Sequence, residues 1–71
     1  MNTQKDIPAI IKAARLRAGM TQQELGEKMG YNPESAGPIA RAWESGRRPV
    51  PLDKIRALAA ALNLTLDDLI P

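Results

Sequence analysis

The sequence predicts an all-α fold, a compact bundle of five short helices with no sheet. Three observations carry that prediction. Apolar residues recur at spacings of three and four along the whole chain, and no stretch of strand length alternates with period two. Residues that favour strands are scarce, with no Phe, one Tyr and one Trp. Capping residues and glycines cut the periodic pattern into five pieces.

The first piece starts after Asp6, whose carboxylate can cap the opening turn, and Pro8 is tolerated there because its missing N–H would have no partner. Ile7, Ile10, Ile11, Ala14 and Ala18 form its inward stripe, and Gly19 ends it. The second opens on "TQQE", a capping box in which Thr21 accepts from an amide three residues on and Glu24 reaches back. Leu25 and Met29 lie one turn apart on its inner face, and Gly30 ends it. Gly26 falls in its interior, where glycine costs about 1 kcal/mol relative to Ala. Close approach of the third helix, leaving room for only a very small side chain, offsets that cost.

The third piece is the hardest to place. "NPESAGP", Asn32 to Pro38, stands ahead of "IARAWESG", in which Ala40 and Trp43 share a face and Gly46 supplies the C-cap. One reading caps the helix with Asn32 and puts Pro33 at its first position. Pro38 would then lie inside the helix, deleting a hydrogen bond and clashing with the Glu34 carbonyl at about 3 kcal/mol, with Gly37 before it resisting the α region. The other spends Pro33 to Ala36 on a single turn, uses Gly37 as N-cap and begins the helix at Pro38. We adopt the second as the expectation: a lengthened turn, then a short helix from Pro38 to Ser45. After the linker "RRPVP", a fourth helix from about Leu52 to Leu62 turns Leu52, Ile55, Leu58, Ala59 and Leu62 inward, and Asp53 complements its dipole. "TLDDLI" forms a closing helix capped by Thr65, with Leu66, Leu69 and Ile70 folding back. Residues 1–5 are expected to be a flexible N-terminal arm and residues 6–71 a single domain.

A chain of 71 residues makes one domain and buries only about 60% of its unfolded surface. Without cysteine or histidine it lacks a disulfide framework, thiolate chemistry and the commonest metal ligand and general base, so no metal or cofactor is expected. Its carboxylates (Asp6, Glu24, Glu27, Glu34, Glu44, Asp53, Asp67 and Asp68) would need a cleft to shift their pKa values for catalysis, and so small a domain rarely offers one. An enzyme is not expected. Apolar runs are far shorter than the roughly 20 residues of a membrane span, and "MNTQKD" lacks a signal-peptide core, so a soluble, cytoplasmic protein is. The net charge of +2 says little, but Arg41, Arg47 and Arg48 cluster while Asp67 and Asp68 lie near the end. The cluster fits phosphate contact and fits a solvated surface equally well.

Two helices joined by a tight glycine turn, the second opening on Thr-Gln, then a third ending in Glu-x-Gly and basic residues, resemble the phage repressor and Cro-like (XRE-type) helix-turn-helix family. The resemblance rests on Arg15, "GMTQQELGEKMG", "WESGRRP" and "LAAALNLTLDDLI", in the family's order, and spans about Ile11 to Ile70. It implies a lambda-repressor-like bundle and a sequence-specific regulator of transcription that binds double-stranded DNA, most simply a repressor. It also implies an internal pair between Arg15 and Glu44, each of which adjoins an inward stripe. The family usually has Ala where this chain has Gly26.

The third helix would then enter the major groove. With Ala40, Trp43 and Glu44 inward, Pro38, Arg41, Ala42 and Ser45 face out, and Trp43 is a core anchor rather than a base-stacking residue. Arg41 can grip guanine O6 and N7 or hold a phosphate, Ala42 can meet a thymine methyl, and Ser45 can donate to a phosphate. Thr21, Gln22 and Gln23 open the second helix, whose free amides favour an anion; the resemblance assigns Gln22 a phosphate. Arg47 and Arg48 would add backbone contacts. From Gly30 to Glu44 the chain is about four residues longer than the family pattern. The lengthened turn would lift Ser35 and Asn32 toward DNA and leave specificity on few side chains, Arg41 foremost.

Such modules generally bind as two-fold dimers on half-sites roughly 34 Å apart. With the chain ending at Pro71, no separate dimerisation domain is expected. A homodimer would use the last two helices or exposed residues such as Val50 or Ile70, or would form only on DNA. Two other readings stay open: an antitoxin that represses its own operon and binds a toxin, and a helical protein-interaction module without DNA binding.

Overall fold

The structure is a computed structural model that describes residues 6–70; the arm expected at residues 1–5 lies outside them. The described residues form five helices and no strand: α1 (Ile7–Arg17), α2 (Gln22–Lys28), α3 (Pro33–Ser45), α4 (Leu52–Leu62) and α5 (Leu66–Leu69). The all-α bundle is the one the periodicity predicts. None of the described helices is long and apolar enough to cross a membrane.

Local chemistry sets most of the boundaries. The Asp6 carboxylate accepts from the Ala9 amide at 3.3 Å and starts α1. At α2 both halves of the capping box are made, with the Glu24 amide donating to Thr21 Oγ1 at 3.0 Å and the Thr21 amide donating to Glu24 Oε1 at 2.8 Å. Three helices end in one motif, in which a left-handed residue lets its own amide and the next one reach back to carbonyls of the last turn. Gly19 and Met20 donate to Leu16 and Arg15, Gly30 and Tyr31 to Glu27 and Gly26, and Asn63 and Leu64 to Ala60 and Ala59. Asn63 is the one non-glycine residue with positive φ among the described residues (59°), a conformation its short polar side chain tolerates.

The start of α3 differs from expectation. The helix runs unbroken from Pro33, with Asn32 in the extended conformation before it and Pro38 inside it, so the lengthened turn and the helix start at Pro38 do not hold. Two physical reasons explain this. First, an insertion of four residues is close to one full turn, so an added turn keeps the same face inward: Ala36 and Ala40, four apart, are both fully buried. Second, the restriction that proline places on its predecessor comes partly from that residue's Cβ, which Gly37 lacks. Glycine therefore eases the α conformation ahead of Pro38 instead of resisting it. The carbonyl of Glu34 loses its helical donor to Pro38, but Glu34 lies on the exposed side, where water can replace it.

The tertiary contact that holds the extra turn is backbone against backbone. Gly26 of α2 lies so close to α3 that a Cβ added to it would sit 2.5 Å from the Ala36 Cα. The α2–α3 interface is the most extensive in the molecule, and α1 bridges it to α4 and α5. Ile11, Leu25 and Leu58 are the largest fully buried side chains, each contributing about 1.5 to 3 kcal/mol. Trp43 is 3% exposed and meets Tyr31 edge to face, their ring centroids 5.8 Å apart. Lys54 Nζ lies 5.2 Å from the Tyr31 ring centroid, tying α4 to the turn before α3.

Four residues expected inside are exposed: Ala18, Leu52, Leu66 and Ile70. Ala18 is the C-cap of α1 and lines an open crevice beside Leu62 and Asn63. Leu52, 89% exposed, is the first residue of α4 and lies about 70° around the helix from the centre of the stripe made by Leu58, Ala59 and Leu62. In α5, barely one turn long, a single position faces the core, and Leu69 takes it.

Candidate nucleic-acid interface

The outward side of α3 and the first turn of α2 enclose an open groove of about 550 Å³, lined by Gln22, Gly37, Pro38, Arg41, Ala42, Ser45 and Arg47. Six of the residues singled out from the sequence meet there. Gly37 is the addition; its lack of a side chain leaves room for the Gln23 amide, whose Oε1 would lie 2.9 Å from an added Cβ.

Beneath the groove lies a buried ion pair. Arg15 Nε donates to Glu44 Oε2 at 2.5 Å and Nη2 donates to Oε1 at 3.2 Å, with side chains 9% and 4% exposed. Nη1 donates to the Met20 carbonyl at 2.8 Å, so the guanidinium also ties down the turn between α1 and α2. Gln22 Nε2 donates to Glu44 Oε1 at 3.3 Å. Arg15, Glu44 and Gln22 thus form one chain from the core to the groove. Only one of the two Gln22 amide hydrogens is used in this bond, and the other can be offered to a ligand. This link escaped the sequence reading, because Gln22 and Glu44 come together only once α2 and α3 cross.

The remaining residues are placed less favourably for donation. Gln23 Nε2 donates to Glu27 Oε2 at 2.8 Å and to the Pro33 carbonyl at 2.6 Å, so both amide hydrogens clasp α2 to the first turn of α3. Ser45 Oγ donates to the Ala42 carbonyl at 3.1 Å, and Thr21 Oγ1 is the cap of α2. Ser35 is exposed in the first turn of α3 and is not among the groove residues. Arg47 and Arg48, adjacent in sequence, part company. Arg47 lines the groove, whereas Arg48 lines a separate apolar depression with Ile7, Pro8, Trp43, Val50 and Leu69. The left-handed Gly46 (φ 76°) turns the chain just ahead of both, and the two adjacent side chains that follow point to different sides.

The arrangement presents a convex helix with a guanidinium, a small apolar side chain and a proline ring outward, flanked by an oriented amide and a second guanidinium. That set can meet base edges and phosphates of a duplex groove. A family model described as helix-turn-helix (HTH_3) matches residues 11–69. No curated protein and no solved structure matches the chain. The chain belongs to the phage-repressor and Cro-like helix-turn-helix family of DNA-binding regulators.

Proposed function

We propose that this protein is a sequence-specific repressor that lays the outward face of α3 in the major groove of an operator. The observation that carries this reading is the convergence of Gln22, Pro38, Arg41, Ala42, Ser45 and Arg47 on one open groove. Arg41 takes the base-reading role, since it is exposed on the outward stripe of α3, about two-thirds of the way along the helix. Gln22, held by Glu44, and Arg47 grip phosphates on either side and set the register. Ala42 faces thymine methyls. Gln23, Thr21 and Ser45 act mainly by holding the elements that carry these contacts.

Selection of bound duplexes from a random pool, followed by gel shifts across a salt series, tests this. Arg47→Ala is expected to flatten the slope of log affinity against log salt by about one unit while leaving the preferred sequence unchanged. Arg48→Ala is expected to change the slope less, because its side chain lines the other depression. Absence of binding at low salt would hand the chain to the protein-interaction reading.

Leu52, Ile55, Leu66 and Ile70 line an apolar depression on the α4–α5 side. The exposed Leu52, Leu66 and Ile70 favour a protein contact there, which we assign to a homodimer on a two-fold operator. Sedimentation with and without operator duplex, using wild type and Ile70→Ser, tests it. A 1:1 complex on a palindromic site would instead favour a different partner, such as a toxin.

A further inference from the structure

We propose that Glu34 is a specificity residue of this interface and that its carboxylate selects cytosine by accepting from the N4 amino group. The inference rests on α3 docking in the major groove, as proposed above. Because α3 begins at Pro33, its first turn extends the same helix ahead of the groove residues, which start at Gly37, and Glu34 is exposed on that turn. Seven residues are two turns less about 20°, so Glu34 lies on the same outward stripe as Arg41, with Pro38 between them and Ser45 beyond.

The stripe carries three chemistries in order: an acceptor at Glu34, an apolar ring at Pro38 and a five-donor fork at Arg41. In the major groove, cytosine offers a donor, thymine a methyl and guanine two acceptors. Adenine also has an amino group, but its N7 acceptor lies beside it and repels a carboxylate, so cytosine is the base an anionic acceptor picks. At 1.5 Å per residue, Glu34 and Arg41 are about 10.5 Å apart along the axis, which is about three base-pair steps of 3.4 Å. The predicted half-site therefore specifies a cytosine and a guanine about three positions apart.

An acid in the first turn of a helix also complements the dipole, and a dipole role alone makes a different prediction. It would leave Glu34 indifferent to sequence, and removing its charge beside phosphates would only tighten binding to every duplex.

Selection from a random duplex pool with wild type, Glu34→Ala, Glu34→Gln and Arg41→Ala at one salt concentration separates the two. The expected result for Glu34→Ala is loss of a preference of about fivefold or more at one position. That position should lie about three base pairs from the one lost in Arg41→Ala. Glu34→Gln is expected to move the same position toward adenine, because a carboxamide pairs with N6 and N7 together. Melting temperatures of the two Glu34 variants should fall by no more than a few degrees, since the exposed residue gives up only its interaction with the helix dipole. If both variants keep the wild-type consensus at every position and bind all duplexes more tightly, the assignment of Glu34 is overturned while the DNA-reading role of α3 stands. If wild type itself selects no consensus, both readings fall.

Discussion

The α2–α3 pair and the α4–α5 pair were read from the same kind of signal, apolar residues at helical spacing, yet they behave differently. Between α2 and α3 the backbones touch: Gly26 lies against Ala36, Gln23 clasps the first turn of α3, and Gln22 reaches Glu44. Between α4 and α5 one residue of the short helix, Leu69, is buried, and Leu52, Leu66 and Ile70 stay exposed. Periodicity says which residues can share a face. Whether the face is covered depends on how long the opposing element is and how closely it can approach. The half of the molecule that carries the candidate DNA-reading surface is the half locked by polar and backbone contacts. The half with spare apolar surface is the one suited to a protein contact.

Four substitutions would break or sharpen this contrast. The largest effect is expected from Arg15→Ala, which strands the Glu44 carboxylate in a nearly dry site and should cost about 3 to 5 kcal/mol. In a domain of this size that lowers Tm by more than about 10 °C; a melt within a degree or two of wild type would make the pair a surface contact. Next is Gly26→Ala. In an open helix it would gain about 1 kcal/mol, but here the new Cβ meets α3 backbone that cannot rotate aside, and a net loss near 3 kcal/mol is expected. A rise in Tm would mean that the two helices are not in backbone contact.

Pro38→Ala distinguishes the two ways of starting α3. In a helix running from Pro33 it restores an N–H for the Glu34 carbonyl and should stabilise by about 2 kcal/mol, after allowing for the greater freedom of the unfolded chain. In a helix starting at Pro38 it would be neutral or mildly destabilising, so denaturant midpoints decide the matter. The smallest effect belongs to Leu52→Ser, within about 0.5 kcal/mol for the free monomer, because the side chain is almost wholly exposed. A loss above about 2 kcal/mol in dilute solution would show that this face is covered by another part of the protein or by a second copy.

Much of the fold was legible because helix ends are local chemistry. Asp6, Thr21 and Thr65 as caps and Gly19, Gly30 and Gly46 as left-handed ends depend on a handful of neighbouring atoms, and each acts as read. The identity of the outward α3 residues was also legible, because Ala40 and Trp43 fix which side is in, and adding one turn at the front leaves that phase nearly unchanged. The start of α3 was not, since the local cost of Pro38 was weighed without the tertiary gain at Gly26 and Ala36. The bonds from Gln22 to Glu44 and from Gln23 to the Pro33 carbonyl were hidden for the same reason, as these partners lie 22 and 10 residues away.

The residues alone determined an all-helical chain with these ends, a core built on Ile11, Leu25, Trp43 and Leu58, and membership of a DNA-binding family. Each of those follows from near neighbours and from period. Only the tertiary structure decided that α3 begins a turn earlier than its prolines suggest, that Arg47 and Arg48 diverge, and that Glu34 shares a stripe with Arg41. These depend on how closely two backbones approach and on which neighbouring elements flank the chain after Gly46, which no stretch of sequence contains by itself.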